Sequence, residues 1–176
     1  MSKRLRAVLA ALAVVVAAGA VVASGSDNKA SKVDSSGSTT PGDSASTYKV
    51  GDEVKLGDWT VKAWGVNNPQ AAPNQFSQPT AGTKWVGVDT EVKNLSSKPE
   101  TVSSVLCFDV TDSANRKYNV NITSGVAPAA PDGEVAPNGA LRGIAVFEIP
   151  ADAAGLKLNF KCDLLSTGTA TIQLTP

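Results

Sequence analysis

The sequence predicts an all-β fold, an antiparallel β-sandwich of about seven or eight short strands. The first observation is strict alternation in residues 83–93, where Val86, Val88 and Val92 share one face of an extended chain. A period of two is typical of a half-buried antiparallel strand. The second is that similar segments recur along the chain, separated by turns rich in Gly, Pro, Asn and Asp. The third is that no segment outside the N-terminus has the period of an amphipathic helix.

Residues 1–25 have the layout of a secretory signal peptide. Three basic residues within the first six positions precede an uncharged run of 17 residues, 7–23, and small residues follow it. The alternative is an uncleaved membrane anchor, which is marginal because a spanning helix needs about 20 apolar residues. Ser26 stands where a bacterial lipoprotein signal would carry its lipid-accepting Cys, so a lipid anchor would be lost there. We therefore expect a protein that is secreted or lies on the extracellular face of the cell envelope.

Residues 26–47 form a Ser/Gly/Thr-rich linker in which Val33 is the only large apolar residue. We expect disorder there, because such a segment cannot bury enough surface to offset its ordering entropy. The folded domain is expected over residues 48–176, a length that suits one domain. Its first strands are expected at residues 54–56 and 58–66.

Later strands are expected at residues 101–110, 141–149, 156–162 and 169–174. The segment 141–149 is apolar on both faces, which predicts a central position in its sheet. A long loop with three prolines is expected at residues 119–138.

Residues 67–82 form another long proline-containing loop, and loops of this length are often functional. Phe76 is the only large apolar residue in it. Phe76 either plugs an end of the sandwich or contacts a partner. Trp85 is another candidate partner contact, because it lies on the polar face of its strand; the alternative is that it covers a sheet edge or packs on the second sheet. With Trp59 and Trp64 it could also form a carbohydrate platform, although packing is the favoured interpretation.

The two cysteines, Cys107 and Cys162, lie on different predicted strands. In an exported protein an even number of cysteines indicates a disulfide. The alternation conflicts with a disulfide. Cys107 is expected on the face of its strand away from Phe108, whereas Cys162 is expected on the same face of its strand as Phe160. A bulge, or a position of Cys162 at a strand end, would resolve the conflict. The alternatives are two buried free thiols, or a redox or metal role, which lacks a Cys-x-x-Cys motif.

The composition excludes several classes of function. The chain has no histidine, the commonest general base and metal ligand. From Ser26 onward acidic residues outnumber basic ones, whereas nucleic-acid binding needs a clustered basic face. Asp109, Asp112 and Asn115 have a spacing that could hold Ca²⁺, but a turn held by side-chain to backbone hydrogen bonds is favoured. We therefore predict no catalytic residue, no cofactor, no metal ligand and no nucleic-acid partner.

Four blocks of residues occur in a recognisable order. They are Gly51-Asp52-x-Val54 with Gly57-Asp58-Trp59-x-Val61; Gly82-x-Lys84-Trp85-Val86-x-Val88 running to Val92-Lys93-Asn94 and Pro99; Phe108-x-Val110-x-Asp112 with Tyr118; and Ala136-Pro137-x-Gly139 with Gly143-x-x-Val146-Phe147-Glu148-Ile149-Pro150. The pattern resembles a large family of uncharacterised extracytoplasmic domains of Gram-positive bacteria, often carried by lipoproteins. That family is similar in fold to a small secreted mycobacterial antigen, which implies an immunoglobulin-like sandwich over residues 50–160. The resemblance implies no activity and no catalytic residues.

These observations predict a non-enzymatic, exported β-sandwich that binds a protein or cell-envelope component through its end loops. Contact with a membrane is expected only through an uncleaved N-terminal segment or a lost lipid anchor. The alternative is capture of a small ligand or metal ion, by analogy with immunoglobulin-like periplasmic copper carriers. The absence of histidine and of internal methionine argues against soft metals.

Overall fold

The computed structural model describes residues 29–34, 36–37, 39–41, 47–162 and 168–174. These residues form thirteen strands and one four-residue helix. The elements are β1 (Ser31–Val33), β2 (Thr39–Pro41), β3 (Thr47–Lys49), β4 (Glu53–Leu56), β5 (Trp59–Asn67), β6 (Thr83–Asn94), β7 (Glu100–Val102), α1 (Ser104–Cys107), β8 (Phe108–Thr111), β9 (Lys117–Asn119), β10 (Gly133–Val135), β11 (Ala140–Pro150), β12 (Lys157–Phe160) and β13 (Ala170–Gln173). The predicted signal peptide, residues 1–25, lies outside the described residues. Among those residues no helix has the length and apolar content to cross a bilayer.

Two sheets form the sandwich. The first has six strands in the order β11-β6-β5-β4-β1-β2, and the second has five in the order β3-β13-β12-β8-β9. The pair β10-β7 forms a separate two-stranded sheet, and β3 with β13 is a parallel pair. The prediction of an all-β sandwich is confirmed, with more short strands than the expected seven or eight.

The core lies between the inward faces of the two sheets. Alternation places Val86, Val88 and Val92 of β6 there, all fully buried. From the other sheet, Phe108 and Phe160 pack with their ring centroids 5.1 Å apart. The predicted alternation of the segment 156–160 is confirmed, since every second residue from Leu156 to Phe160 is buried.

The predicted disorder of residues 26–47 is wrong for the parts that the structure describes. β1 pairs antiparallel with β4, and β2 pairs with β1. Lys32 on β1 also forms an ion pair with Asp52, with Nζ and Oδ1 2.6 Å apart. Backbone pairing with an open sheet edge orders this segment despite its polar composition.

The predicted strand 101–110 is also wrong as a single element. It consists of β7, the helical turn α1 and β8. The turn reverses the expected orientation of the side chains, so that Cys107 is buried whereas Val105 and Leu106 are 45% and 66% exposed. Likewise, the predicted loop 119–138 contains β10, which pairs with β7.

β11 is an edge strand, not the central strand that its apolar faces predicted. It pairs with β6 over its whole length. Its other edge is covered by the chain after β9: Asn121 donates its backbone N–H to the Val146 carbonyl at 2.7 Å, and Ile144 donates to the Pro128 carbonyl at 3.1 Å. The same segment lines a pocket together with Ile144 and Val146 of the outer face, so both faces of this edge strand meet protein.

Candidate functional site

The loop of residues 68–82, which we call the first loop, folds back over the outer face of the first sheet. Gln70 donates its backbone N–H to the carbonyl of Trp85 at 2.7 Å, and the Gln70 side chain passes directly over Gly87. Trp85 faces outward, as its parity predicted, but it is only 3% exposed. The prediction that Trp85 contacts a partner is therefore corrected: the tryptophan is covered by the chain itself.

Glu148 on β11 holds this loop in place. Its Oε1 accepts hydrogen bonds from the Thr80 N–H at 2.9 Å and the Thr83 hydroxyl at 2.8 Å. Its Oε2 accepts from the indole N–H of Trp85 at 3.2 Å and from the Asn121 amide at 3.3 Å. Hydrogen bonds from Thr80, and then from Thr83 and Trp85, outweigh burial and lower the pKa of Glu148 to about 2. The carboxylate is therefore ionised wherever the protein is folded at ordinary pH.

The tip of the first loop presents Phe76 to solvent. Phe76 is 88% exposed, so of the two predicted roles it does not plug the sandwich. Asn74 fixes the tip because its Oδ1 accepts the N–H groups of Phe76 at 2.8 Å and Ser77 at 3.0 Å. The Gln78 side chain closes the turn on the Asn74 carbonyl at 2.6 Å. An aromatic ring is thus held in water on a hydrogen-bonded turn.

The chain that covers the edge of β11 presents a second apolar side chain, Ile122, which is 75% exposed. Ile122 lies within a turn in which Asn121 Oδ1 accepts both the N–H and the hydroxyl of Thr123, each at 2.9 Å. The two exposed apolar residues are therefore fixed in the same way, each by a nearby asparagine.

These two loops meet each other. A Cβ atom at Gly125 would lie 3.6 Å from both Pro73 Cγ and Ser77 Oγ of the first loop. Residues 63–83 and 118–131 contain no charged side chain at all. We call residues 120–131 the second loop, and the first and second loops together the two-loop surface.

A pocket of about 160 Å³ opens beside Ile122 in this surface. Its apolar wall comes from the second loop and from the edge of β11, through Ile122, Val126, Ala129, Ala130, Ile144 and Val146. At its polar end the Ser104 hydroxyl donates to Asp132 Oδ2 at 2.5 Å, and the Ser104 N–H donates to Oδ1 at 2.9 Å. Ser104 is fully buried, and a chain without histidine offers it no imidazole base.

Cys107 and Cys162 form a disulfide, with their Cα atoms 4.4 Å apart. The conflict in alternation is resolved at both ends of the bond. The helical turn α1 rotates Cys107 inward, and Cys162 lies two residues beyond the end of β12. A turn of helix, where a bulge was expected, thus brings Cys107 to the buried side.

Asp112 stabilises the turn between β8 and β9. Its Oδ1 accepts the N–H groups of Ala114 and Arg116, and its Oδ2 accepts from the Arg116 side chain and the Tyr118 hydroxyl. Burial opposes the charged form of Asp112, but these hydrogen bonds lower its pKa to about 2. Its four acceptor positions are used by the turn, and the described residues contain no group of three or more His, Cys, Asp or Glu that could hold a metal ion.

The three tryptophans do not form a shared platform. Trp59 and Trp85 are buried, whereas Trp64 is 44% exposed at a bulge of β5. Lys62 Nζ lies 3.6 Å and Arg142 Cζ 4.6 Å from the centroid of the Trp64 ring. Stacking of these cations accounts for the exposed indole without a ligand.

Ile122 and the pocket are the features that sequence reasoning missed. The absence of charge from both loops was a usable signal, because interface cores are depleted of charged residues. Contact between the loops could not be predicted, since it depends on the fold-back of the first loop over Gly87.

Three solved structures with a similar fold come from species of Bacillus. The yjhA protein of Bacillus subtilis matches with a TM-score of 0.55 at 13% identity, covering 73% of this chain and 100% of that one. A conserved hypothetical protein of Bacillus anthracis matches with a TM-score of 0.51 at 16% identity, covering 73% and 95%. The ycdA protein of B. subtilis, described as a lipoprotein candidate, matches with a TM-score of 0.52 at 14% identity. The match covers 76% of this chain but only 39% of that protein. At these identities the likeness shows the fold alone.

No functionally curated protein matches the chain in sequence. The similarity in fold to a mycobacterial antigen stays a prediction. A family model, by contrast, matches residues 48–171, which include most of both sheets, without β1 and β2, and both loops of the two-loop surface. The chain therefore belongs to the DUF4352 family, a domain of unknown function.

Proposed function

We propose that this protein is an exported, non-enzymatic binding module whose two-loop surface contacts a protein or another component of the cell envelope. The observation that carries the proposal is Phe76, an aromatic side chain that is 88% exposed on a turn fixed by Asn74. Leaving such a ring in water forgoes about 1.5–3 kcal/mol of burial. Fixing the ring in advance lowers the entropy that binding must overcome.

The chemistry of the surface favours a protein partner over a lipid bilayer. Residues 63–83 and 118–131 lack any basic side chain, so the surface has no electrostatic attraction to anionic lipid. Aromatic anchors in an uncharged setting are typical of the centre of protein interfaces.

Three observations support an extracytoplasmic location. The N-terminal 25 residues have the pattern of a signal peptide, the chain contains a disulfide, and one protein of similar fold is described as a lipoprotein candidate. Disulfides persist mainly in oxidising compartments. A non-enzymatic role is supported by the absence of histidine from the chain and by the burial of Ser104.

A comparative pull-down from cell-envelope extract tests the proposal. The bait is the full chain, compared with a Phe76→Ser/Ile122→Ser variant and with a matched control, Val50→Ser, which alters an exposed apolar residue elsewhere. We expect at least one species that binds the wild type and the control but is depleted about tenfold or more by the double variant, because interface anchors carry most of the binding energy. Equal recovery by all three baits would contradict the proposal.

A second candidate function, capture of a small ligand, is favoured by a different observation. A pocket of about 600 Å³ is lined by Tyr48, Lys49, Lys157 and Leu174, a size usual for ligand sites. Among the described residues, the Tyr48 hydroxyl is the buried side-chain polar atom without a hydrogen-bond partner. Burial and the charge of Asp52 raise the pKa of Tyr48, so the hydroxyl remains a donor. The apolar wall of this pocket, together with the ammonium groups of Lys49 and Lys157, suits an anionic amphiphile as ligand.

Titration with anilinonaphthalene sulfonate, an apolar anion, tests this second function. We expect saturable binding that a Lys49→Glu/Lys157→Glu variant weakens about tenfold or more. A flat titration, or equal binding by the variant, would exclude an anion site in this pocket.

A further inference from the structure

The two-loop surface carries a projecting side chain and a pocket of matching size. The projection is Phe76, which is 88% exposed. The pocket measures about 160 Å³ and is lined by Ile122, Val126 and Ala129. An apolar cavity of about 150 Å³ holds one benzene ring. The pocket is therefore the right size for the ring of one phenylalanine.

The polar groups at the end of the pocket keep their hydrogen bonds when an apolar side chain enters. Ser104 donates both its hydroxyl and its N–H to Asp132, so these groups are already hydrogen-bonded to each other. Ser124, which is buried in the same wall, accepts the Val126 N–H at 3.4 Å. A ring entering the pocket would leave none of these groups without its partner, which is the usual cost of covering polar atoms.

Phe76 does not fill the pocket of its own chain. Its N–H is bonded to Asn74, and the loop is held at its far end by the bonds from Thr80 and Thr83 to Glu148. The ring is nevertheless close to the pocket, because Gly125 lines the pocket and a Cβ added there would lie 3.6 Å from Oγ of Ser77, the residue next to Phe76. The projection and the pocket thus lie side by side on one face.

We propose that a second copy of this chain docks on the two-loop surface, with Phe76 of each copy inserted into the pocket of the other. Because each copy carries both the ring and the pocket, two copies related by a two-fold axis make the ring–pocket contact twice. Two-fold symmetry is the commonest symmetry of soluble oligomers. Residues 68–82 and 120–131 carry no charge, and the carboxylate that lines the pocket, Asp132, accepts two hydrogen bonds from Ser104, so like-charge repulsion between two copies is small. The inference rests on the proposed function, since it takes the two-loop surface to be a protein-binding surface and names the partner.

Sedimentation velocity of the full chain, from about 1 µM to about 1 mM, tests the proposal. A contact of this limited size predicts a weak dimer, with Kd on the order of micromolar. Phe76→Ser removes the projection, and Ala129→Phe fills the pocket from an exposed position on its rim. Each change is expected to raise Kd at least about tenfold, which equals about 1.4 kcal/mol. Val50→Ser is the control and should leave Kd unchanged.

Mixing the two variants gives the sharpest outcome. Phe76→Ser still has an open pocket and Ala129→Phe still has the projecting ring, so the mixture restores one of the two contacts. We expect a heterodimer that is tighter than either variant alone. Two weakened variants whose mixture shows no recovery would overturn the inserted-ring geometry, and so would dimerisation that neither change affects.

A small competitor gives a readout that does not depend on how the pocket variant folds. N-acetyl-phenylalaninamide carries the same side chain and is expected to dissociate the wild-type dimer while leaving the monomer folded. Absence of competition at saturating concentration would count against the pocket. A chain that stays monomeric throughout, while the pull-down still loses a species with Phe76→Ser/Ile122→Ser, would overturn the self-association and leave the proposed function intact.

Discussion

Trp85 donates its indole N–H to Glu148 beneath the first loop, with Nε1 and Oε2 3.2 Å apart. This contact joins adjacent strands, because the two residues face each other in the pairing of β6 with β11. The same carboxylate also binds Thr80 in the first loop and Asn121 in the second. One anionic side chain therefore ties both halves of the two-loop surface to the sheet.

We expect Glu148→Gln to loosen this surface. The amide oxygen of Gln can still accept from Thr80 and Thr83, but its NH₂ group cannot accept from Trp85 and Asn121. The loss of two hydrogen bonds to a charged acceptor should lower the free energy of unfolding by about 1–3 kcal/mol. Urea unfolding followed by tryptophan fluorescence measures the change, and Glu134→Gln, an exposed residue, is the control. Equal stability of variant and parent would mean that the carboxylate does not hold the loops.

Stability should fall in acid because of Glu148 and Asp112. Folding lowers the pKa of Glu148 from 4.5 to about 2 and that of Asp112 from 3.8 to about 2. A carboxyl group whose pKa is lower in the folded state binds more protons when unfolded, so its contribution is present above the ordinary pKa and is lost as the pH falls. We expect the midpoint of urea unfolding to decrease between about pH 5 and pH 2, and less steeply in Glu148→Gln. Parallel pH profiles for parent and variant would contradict this assignment.

Removal of the disulfide should destabilise the domain without changing its fold. The bond closes a separation of 55 residues, which on the chain-entropy model corresponds to up to about 4 kcal/mol. A Cys107→Ser/Cys162→Ser variant should therefore unfold at a lower temperature while its circular dichroism spectrum stays β-rich. The parent in reducing buffer should show the same loss. An unchanged melting temperature would show that the bond contributes nothing.

Two glycines should respond differently to the same substitution. A Cβ at Gly143 would meet the backbone carbonyl of Ala129, which cannot move without displacing the segment that covers β11. A Cβ at Gly87 would meet only the flexible side chain of Gln70. We expect Gly143→Ala to cost about 3 kcal/mol and Gly87→Ala clearly less. Chemical denaturation of both variants checks the order, and a reversed order would mean that the second loop yields more easily than the first.

The strands that alternate cleanly could be predicted from the sequence because their inward residues all meet one core. β6 and β12 are examples: valines at every second position, or Leu158 with Phe160, leave only one orientation in which the apolar side chains are buried. The disulfide could be predicted from the number of cysteines, although its geometry needed the helical turn at Ser104–Cys107. That turn has no apolar period to reveal it, since two of its four residues face solvent.

Three of the errors share one physical cause, which is contact with a segment distant in sequence. β1 joins the sheet through main-chain hydrogen bonds to β4, which are independent of its polar side chains. The apolar outer face of β11 indicated a central strand, but a loop, not a second strand, covers its edge. Trp85 likewise had the parity of an exposed residue and is buried by a loop that begins at its own neighbouring strand. For β11 and Trp85 the alternation gave the correct face, and a distant segment decided whether that face met water.

Site-specific photocrosslinking in intact cells tests most directly the claim that the two-loop surface is where this protein binds. A photoreactive phenylalanine analogue replaces Phe76 in one strain and Val50 in another, so that position 76 reports the two-loop surface and position 50 reports the pocket of about 600 Å³. We expect covalent adducts of defined mass from position 76, none of them formed from position 50. An absence of adducts at position 76, or the same adducts from both positions, would contradict it.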